Sequence, residues 1–137
     1  MTMRNSSLNS LHNEFRPVAI ELYERMVRSH QSGLVKYRFD IFETLRSFDR
    51  QNDLFAKGVT KARAGDSAHN FGFAIDLVPF LTSQEAAALG ARAGWYWPEI
   101  ADPAWKVLQE TAAALNLKTI SWGKPHAEHA SWKTMKR

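Results

Sequence analysis

His69 and Asp76 stand seven residues apart in the stretch Ser67-Ala68-His69-Asn70-Phe71-Gly72-Phe73-Ala74-Ile75-Asp76. An imidazole and a carboxylate are two of the three protein ligands that a catalytic zinc takes, its fourth position being open to water. The two side chains meet only if the chain turns between them. Gly72 allows that turn, because glycine takes positive φ without a steric penalty. Phe73 to Phe80 (FAIDLVPF) has the length and β-forming composition of a strand. Side chains alternate along a strand, so Phe73, Ile75 and Leu77 face a core while Ala74, Asp76 and Val78 share the other side. Ala74 leaves space above the carboxylate. The plain alternative is a buried histidine beside an ordinary strand aspartate.

A third ligand must come from elsewhere. The chain has no cysteine, which excludes disulfides and thiolate sites and leaves histidine and carboxylate as metal ligands. Two late histidines lie in Trp122-Gly123-Lys124-Pro125-His126-Ala127-Glu128-His129. If this segment is a strand, His126 and Glu128 share a face and His129 points away. If it is helical, His126 and His129 share a face instead. Pro125 suits the start of a strand, which favours His126.

Ser-x-His-x-x-Gly-x-Ala-x-Asp resembles the signature of the M15-type zinc peptidases, with Ser67, His69, Gly72, Ala74 and Asp76 at all five fixed positions. The family includes D-alanyl-D-alanine dipeptidases and carboxypeptidases, and phage and bacterial L-alanyl-D-glutamate endopeptidases. The resemblance covers roughly residues 11 to 130. It implies one Zn2+ held by His69, Asp76 and His126. It also implies hydrolysis of peptidoglycan stem peptides, foremost as an L-alanyl-D-glutamate endopeptidase of the phage endolysin type. The D-alanyl-D-alanine bond is the alternative substrate.

Arg46-Ser47-x-x-x-Gln51, followed by a leucine and a glycine, resembles the segment that precedes the zinc motif in these enzymes. This implies a catalytic Arg46 near the scissile bond, with Gln51 and Ser67 on the substrate side; Gln51 as a mere buttress is the alternative. A guanidinium is always charged and grips a carboxylate or polarised carbonyl with a fixed fork. One departure stands out. The residue three before His126, where the family keeps its general base, is Gly123, which cannot accept a proton. Glu128 is the nearest replacement as catalytic base, or else a support for His126. Glu99 and Asp102 are more distant candidates. Gly123 also keeps open a catalytically silent, zinc-containing module that binds peptidoglycan.

The elements that must position these residues are legible in outline. Leu11, Phe15, Val18, Ala19, Leu22 and Met26 follow helical spacing to about Arg28, with Pro17 in the first turns and Gly33 at the stop. Val35 to Leu45 alternates weakly, as a strand. Ser47 caps a helix whose expected apolar contacts are Leu54 and Phe55, and Gly58 ends it. Gly58 to Asp66 is a polar loop with two basic residues, Lys61 and Arg63, placed to meet anionic stem carboxylates or merely solvated. Thr82-Ser83-Gln84-Glu85 is a capping box opening an alanine-rich helix. Trp95-Tyr96-Trp97-Pro98 is an aromatic cluster, either packing or a groove wall. Asp102-Pro103 starts another helix, with Trp105, Leu108, Ala112 and Leu115 inward. Lys118 to Trp122 is a short strand. The expected class is α+β: a small antiparallel sheet packed with helices, of the D-Ala-D-Ala carboxypeptidase and dipeptidase type.

Length and charge set the remaining bounds. A chain of 137 residues is expected to be one domain, 1–137, with 1–10 and 131–137 as loose termini. A net charge of +4 favours anionic partners, such as a cell wall. No nucleic-acid motif is present, and the basic residues are scattered apart from Lys133, Lys136 and Arg137. No run has transmembrane length, and the first 15 residues lack an apolar signal core. The expectation is a monomer made in the cytoplasm that acts on the cell wall after release, in the host periplasm if it is a phage lysin.

Overall fold

A computed structural model describes residues 3–136. Among the described residues, five antiparallel strands and five α-helices make up an α+β fold, as expected. In chain order they are α1 (Arg16–Gln31), β1 (Phe39–Glu43), α2 (Phe48–Ala56), β2 (Ala74–Leu81), α3 (Ser83–Leu89), β3 (Gly94–Trp95), α4 (Pro103–Ala114), β4 (Leu117–Ile120), β5 (Gly123–His129) and α5 (Trp132–Met135). The sheet order is β1-β2-β5-β4, and β3 pairs with the end of β2. Helices α1 and α4 pack on the sheet and on each other. Leu22, Met26, Phe39, Ile75, Leu77 and Leu108 are sealed between them. Each such aliphatic or aromatic side chain contributes about 1.5–3 kcal/mol by leaving water.

Local chemistry accounts for the boundaries. Ser47 Oγ accepts from Arg50 N at 3.0 Å and starts α2. Thr82 and Glu85 form the reciprocal capping box of α3. Asp102 caps α4 with Pro103 in its first turn, and its other oxygen accepts from Tyr37 OH at 2.8 Å.

Several expectations need correction. Helix α1 begins at Arg16, not near Leu11, because His12 N is drawn off to Gly72 O at 3.0 Å. Leu11 and Phe15 are nonetheless buried. Strand β1 begins at Phe39 rather than Val35, since the amides of Leu34 and Val35 both bond Ser29 O at the end of α1. Val35 and Tyr37 enter the core from a loop. In α2 the buried residue is Gln51, not Leu54 or Phe55; Phe55 is 36% exposed. The segment expected to be a loose lead-in is docked: it forms a short 3-10 helix (Leu8–Ser10), and Thr44 N donates to Asn5 O at 2.7 Å. The tail is docked too, with Trp132 of α5 only 5% exposed. Met1, Thr2 and Arg137 lie outside the described residues.

Candidate metal centre and its cleft

Register brings the chemistry together. Asp76 of β2 stands opposite His126 of β5, and Glu43 of β1 stands opposite Asp76 on the other side. Three neighbouring strands thus carry a row of Glu43, Asp76 and His126. His69 arrives from a 3-10 turn (Ala68–Phe71) that ends at Gly72 with φ +77°. A Cβ on Gly72 would lie 2.7 Å from His12 N, so glycine is required there for conformation and for space. Ser67 caps this turn, its Oγ accepting from His69 N at 3.2 Å.

Each imidazole is held by one nitrogen and presents the other. His69 Nδ1 lies 2.7 Å from Thr44 O, which leaves Nε2 toward Asp76 Oδ1 at 3.0 Å. His126 Nε2 lies 2.6 Å from Glu128 Oε1, which leaves Nδ1 toward the same Asp76 oxygen at 3.2 Å. Ligand atoms of His69, Asp76 and His126 all lie within 4.8 Å of one another. Two nitrogens and one oxygen, each imidazole oriented by an acceptor behind it, suit a zinc ion with an open position. His129 faces elsewhere: its Nδ1 accepts from Ser131 N at 3.0 Å and its ring meets Phe73.

Electrostatics agree with this arrangement in the metal-free protein. Burial pushes the Asp76 carboxyl up, but the attraction and hydrogen bonds of His69 and His126 outweigh it and hold it well below the usual carboxylate range. Burial pushes His126 down, yet hydrogen bonds and charge from Asp76 and Glu128 raise it to about 9. Burial likewise raises Glu43 and Glu128, and their cationic partners more than reverse this.

Arg46, Ser67, His69, Asp76, His126 and Glu128 line one cleft of about 380 Å3, whereas Gln51, expected on the substrate side, is fully buried off its lining. Arg46 is 7% exposed and built into its wall. It donates to Glu43 Oε1 at 2.7 Å and to Gln51 Oε1 at 3.0 Å, and Nη2 stands 3.7 Å from Asp76 Oδ2. Gln51 donates onward to Ala62 O at 2.7 Å, the buttressing arrangement. Ser67 lines the same cleft.

Glu128 sits behind the metal ligand rather than before it. Oε1 is taken by His126 and Oε2 accepts from Trp132 Nε1 at 2.9 Å. The geometry fits the supporting role, since each oxygen already holds one partner. Asp102 is committed to Tyr37 and the α4 cap, and Glu99 is exposed away from the cleft lining. Asp66 does line the cleft, and its carboxylate has no hydrogen-bond or ion-pair partner among the described residues.

Three contributors were missed. Glu43 is 1% exposed and anchors Arg46 and Arg50. A register shift between Ile41 and Glu43 hides it from a two-residue alternation. Asn70 ties the zinc-motif turn to the arginine segment, donating to Arg46 O at 3.0 Å while accepting from Gly65 N. Trp132 was assigned to a frayed tail; a lone tryptophan among polar residues was the available signal. The aromatic cluster divides between both of its readings. Trp95 packs on Phe42 and Phe80, whereas Trp97 is 53% exposed and walls the cleft with Pro98.

The fold is shared with solved structures of two peptidases. The chain is similar to the L-Ala D-Glu endopeptidase ChiX of Serratia marcescens, with 21% identity over 96% of this chain and 93% of that one, at a TM-score of 0.52. It is also similar to the L,D-carboxypeptidase DacB from Streptococcus pneumonia, with 15% identity over 94% and 74% of the two chains, at a TM-score of 0.50. No protein-family model matches the sequence, and no curated protein does.

Proposed function

We propose that this protein is a zinc-dependent peptidase that hydrolyses peptidoglycan stem peptides, acting as an L-alanyl-D-glutamate endopeptidase. The observation that carries the reading is the convergence of His69 Nε2 and His126 Nδ1 on one Asp76 oxygen at the floor of an open cleft. The likeness to an L-Ala D-Glu endopeptidase and an L,D-carboxypeptidase supports the substrate class. His69, Asp76 and His126 would hold the zinc ion, which would supply Lewis acidity toward a scissile carbonyl and a more acidic water. The chain's own residues supply the rest. Thr44 O and Glu128 fix the two imidazole tautomers. Arg46, braced by Glu43 and Gln51, stabilises negative charge that develops on the carbonyl oxygen. Asp66, on the cleft wall without a partner among the described residues, is our assignment for the proton acceptor that Gly123 cannot be. Its role is tested by Asp66→Asn. We further propose a monomeric, phage-type endolysin that reaches the wall of its host after release. No helix among the described residues is long and apolar enough to cross a membrane.

A second reading is favoured by one specific pair of observations. Position 123 is glycine, and both Glu128 oxygens are engaged, so the molecule could hold zinc and bind stem peptide without cutting it. Turnover of purified peptidoglycan by the zinc-loaded protein, before and after chelation, separates the two. Chelator-sensitive release of peptide supports the peptidase, and binding without release supports the silent module.

A further inference from the structure

The cleft wall beside the metal site carries two guanidinium groups on one carboxylate. Arg46 donates to Glu43 Oε1, and Arg50 straddles both Glu43 oxygens through Nε and Nη2. Glu43 is 1% exposed, and both of its oxygens accept from these arginines. The trio therefore holds one positive charge more than its carboxylate balances. Asp76 takes up the part of this surplus that lies on Arg46, as an ion pair at 3.7 Å, whereas Arg50 meets no second carboxylate among the described residues. Glu128 is committed to His126 and Trp132. Asp66 and Lys124, both lining the cleft, offset one another in charge.

Donor capacity matches the charge. Arg46 Nε is buried with no acceptor, and Arg50 Nη1 has none among the described residues. Arg50 lines the cleft, and its side chain is 14% exposed, so it is reachable from within. A guanidinium pinned through two of its nitrogens loses little further entropy when the third takes a ligand oxygen. An unbalanced, pre-oriented cation in a partly dry wall is a site for a planar anion.

We propose that Arg50, with Arg46 behind it, binds a carboxylate of the stem peptide next to the scissile amide, and so sets which peptides the cleft accepts. The inference rests on the stem-peptide reading above. Two carboxylates qualify chemically: the α-carboxylate of a D-glutamyl residue linked through its side chain, which adjoins an L-alanyl-D-glutamate bond, and the C-terminal carboxylate, which adjoins the last amide if that is the bond cut. Arg50 is a specificity residue here, distinct from the stabilising role given to Arg46.

The test uses zinc-loaded protein and three synthetic stem tetrapeptides: one unmodified, one with the D-glutamyl α-carboxylate amidated, and one with the C-terminus amidated. Binding is read by stopped-flow tryptophan fluorescence before turnover, since Trp97 and Trp122 line the cleft. Loss of one carboxylate should weaken binding to the parent about tenfold or more, as expected for a charge-assisted hydrogen bond. Arg50→Gln should bind all three alike. Arg50→Lys, which keeps the charge without the fork, should retain part of the preference and serves if the glutamine variant does not fold. Which amide weakens binding identifies the carboxylate. Equal binding of all three peptides to the parent, or a preference that survives in the folded Arg50 variants, overturns the inference. Cleavage is scored separately. Hydrolysis without carboxylate preference sinks this inference alone, and preference without hydrolysis sinks the peptidase alone.

Discussion

Replacing Glu128 with glutamine separates the two roles a carboxylate beside His126 could have. The parent carboxylate accepts from His126 Nε2 at 2.6 Å and from Trp132 Nε1 at 2.9 Å. Glutamine has one oxygen and one NH2 group, so it can accept from only one of these donors in the same pose. The other N–H then faces an N–H, or the side chain turns away. In either case His126 loses the charged acceptor that presents Nδ1 to the metal. Loss of such a partner costs 10–100-fold in metal affinity, or about 1.4–2.7 kcal/mol. Removal of a general base instead costs about 10²–10⁴-fold in kcat with the metal retained. The assay is a chelator competition for zinc affinity, paired with kcat at saturating zinc. The structure leads us to expect Glu128→Gln to bind zinc 10–100-fold more weakly and to recover most of its kcat once saturated. Parental zinc affinity with kcat down a hundredfold or more would refute this and make Glu128 the base.

His69→Ala and His126→Ala should lose zinc by elemental analysis, whereas His129→Ala should keep it, because His129 faces Ser131 and Phe73. Arg46→Gln should lose most turnover and about 1.5–3 kcal/mol of stability, the worth of a buried hydrogen bond to a charged group; unchanged kcat/KM would return Arg46 to a purely structural role. Asp66→Asn should retain zinc and lose turnover by about 10²–10⁴-fold; parental turnover would remove it as proton acceptor. Metal-free protein should show opposed pH slopes in its melting temperature. Glu43, Asp76 and Glu128 have lowered folded pKa values, so their stabilisation is present above about 4.5 and is lost as pH falls. His126 is raised to about 9, so its stabilisation is present below about 6.5 and is lost as pH rises toward 9. A metal-free protein with flat stability from pH 6.5 to 9 would contradict that assignment.

What was legible in the sequence followed from local rules. The zinc motif fixes its own geometry through Gly72 and the Ser67 cap, and the strand period of β5 puts His126 and Glu128 on one side. The caps at Ser47, Thr82 and Asp102 are short-range chemistry and stand where their patterns indicate. What was hidden depends on partners distant in sequence. Glu43 acquires its place from a register shift and from two arginines on the next turn of chain. Trp132 has meaning only because β5 delivers Glu128 to it. The split within the aromatic cluster is similar, since Trp95 is fixed by pairing with Phe80 whereas Trp97 is left facing the cleft. The strand expected from Val35 starts late because the end of α1 claims the amides of Leu34 and Val35.

Mass spectrometry of the fragments that zinc-loaded protein releases from purified peptidoglycan tests the central claim most directly. The account predicts free stem peptides beginning at D-glutamate, with L-alanine left on the glycan, and no release after chelation or in His69→Ala. Release that persists without zinc, or no cleavage by a protein carrying one zinc per chain, would contradict it.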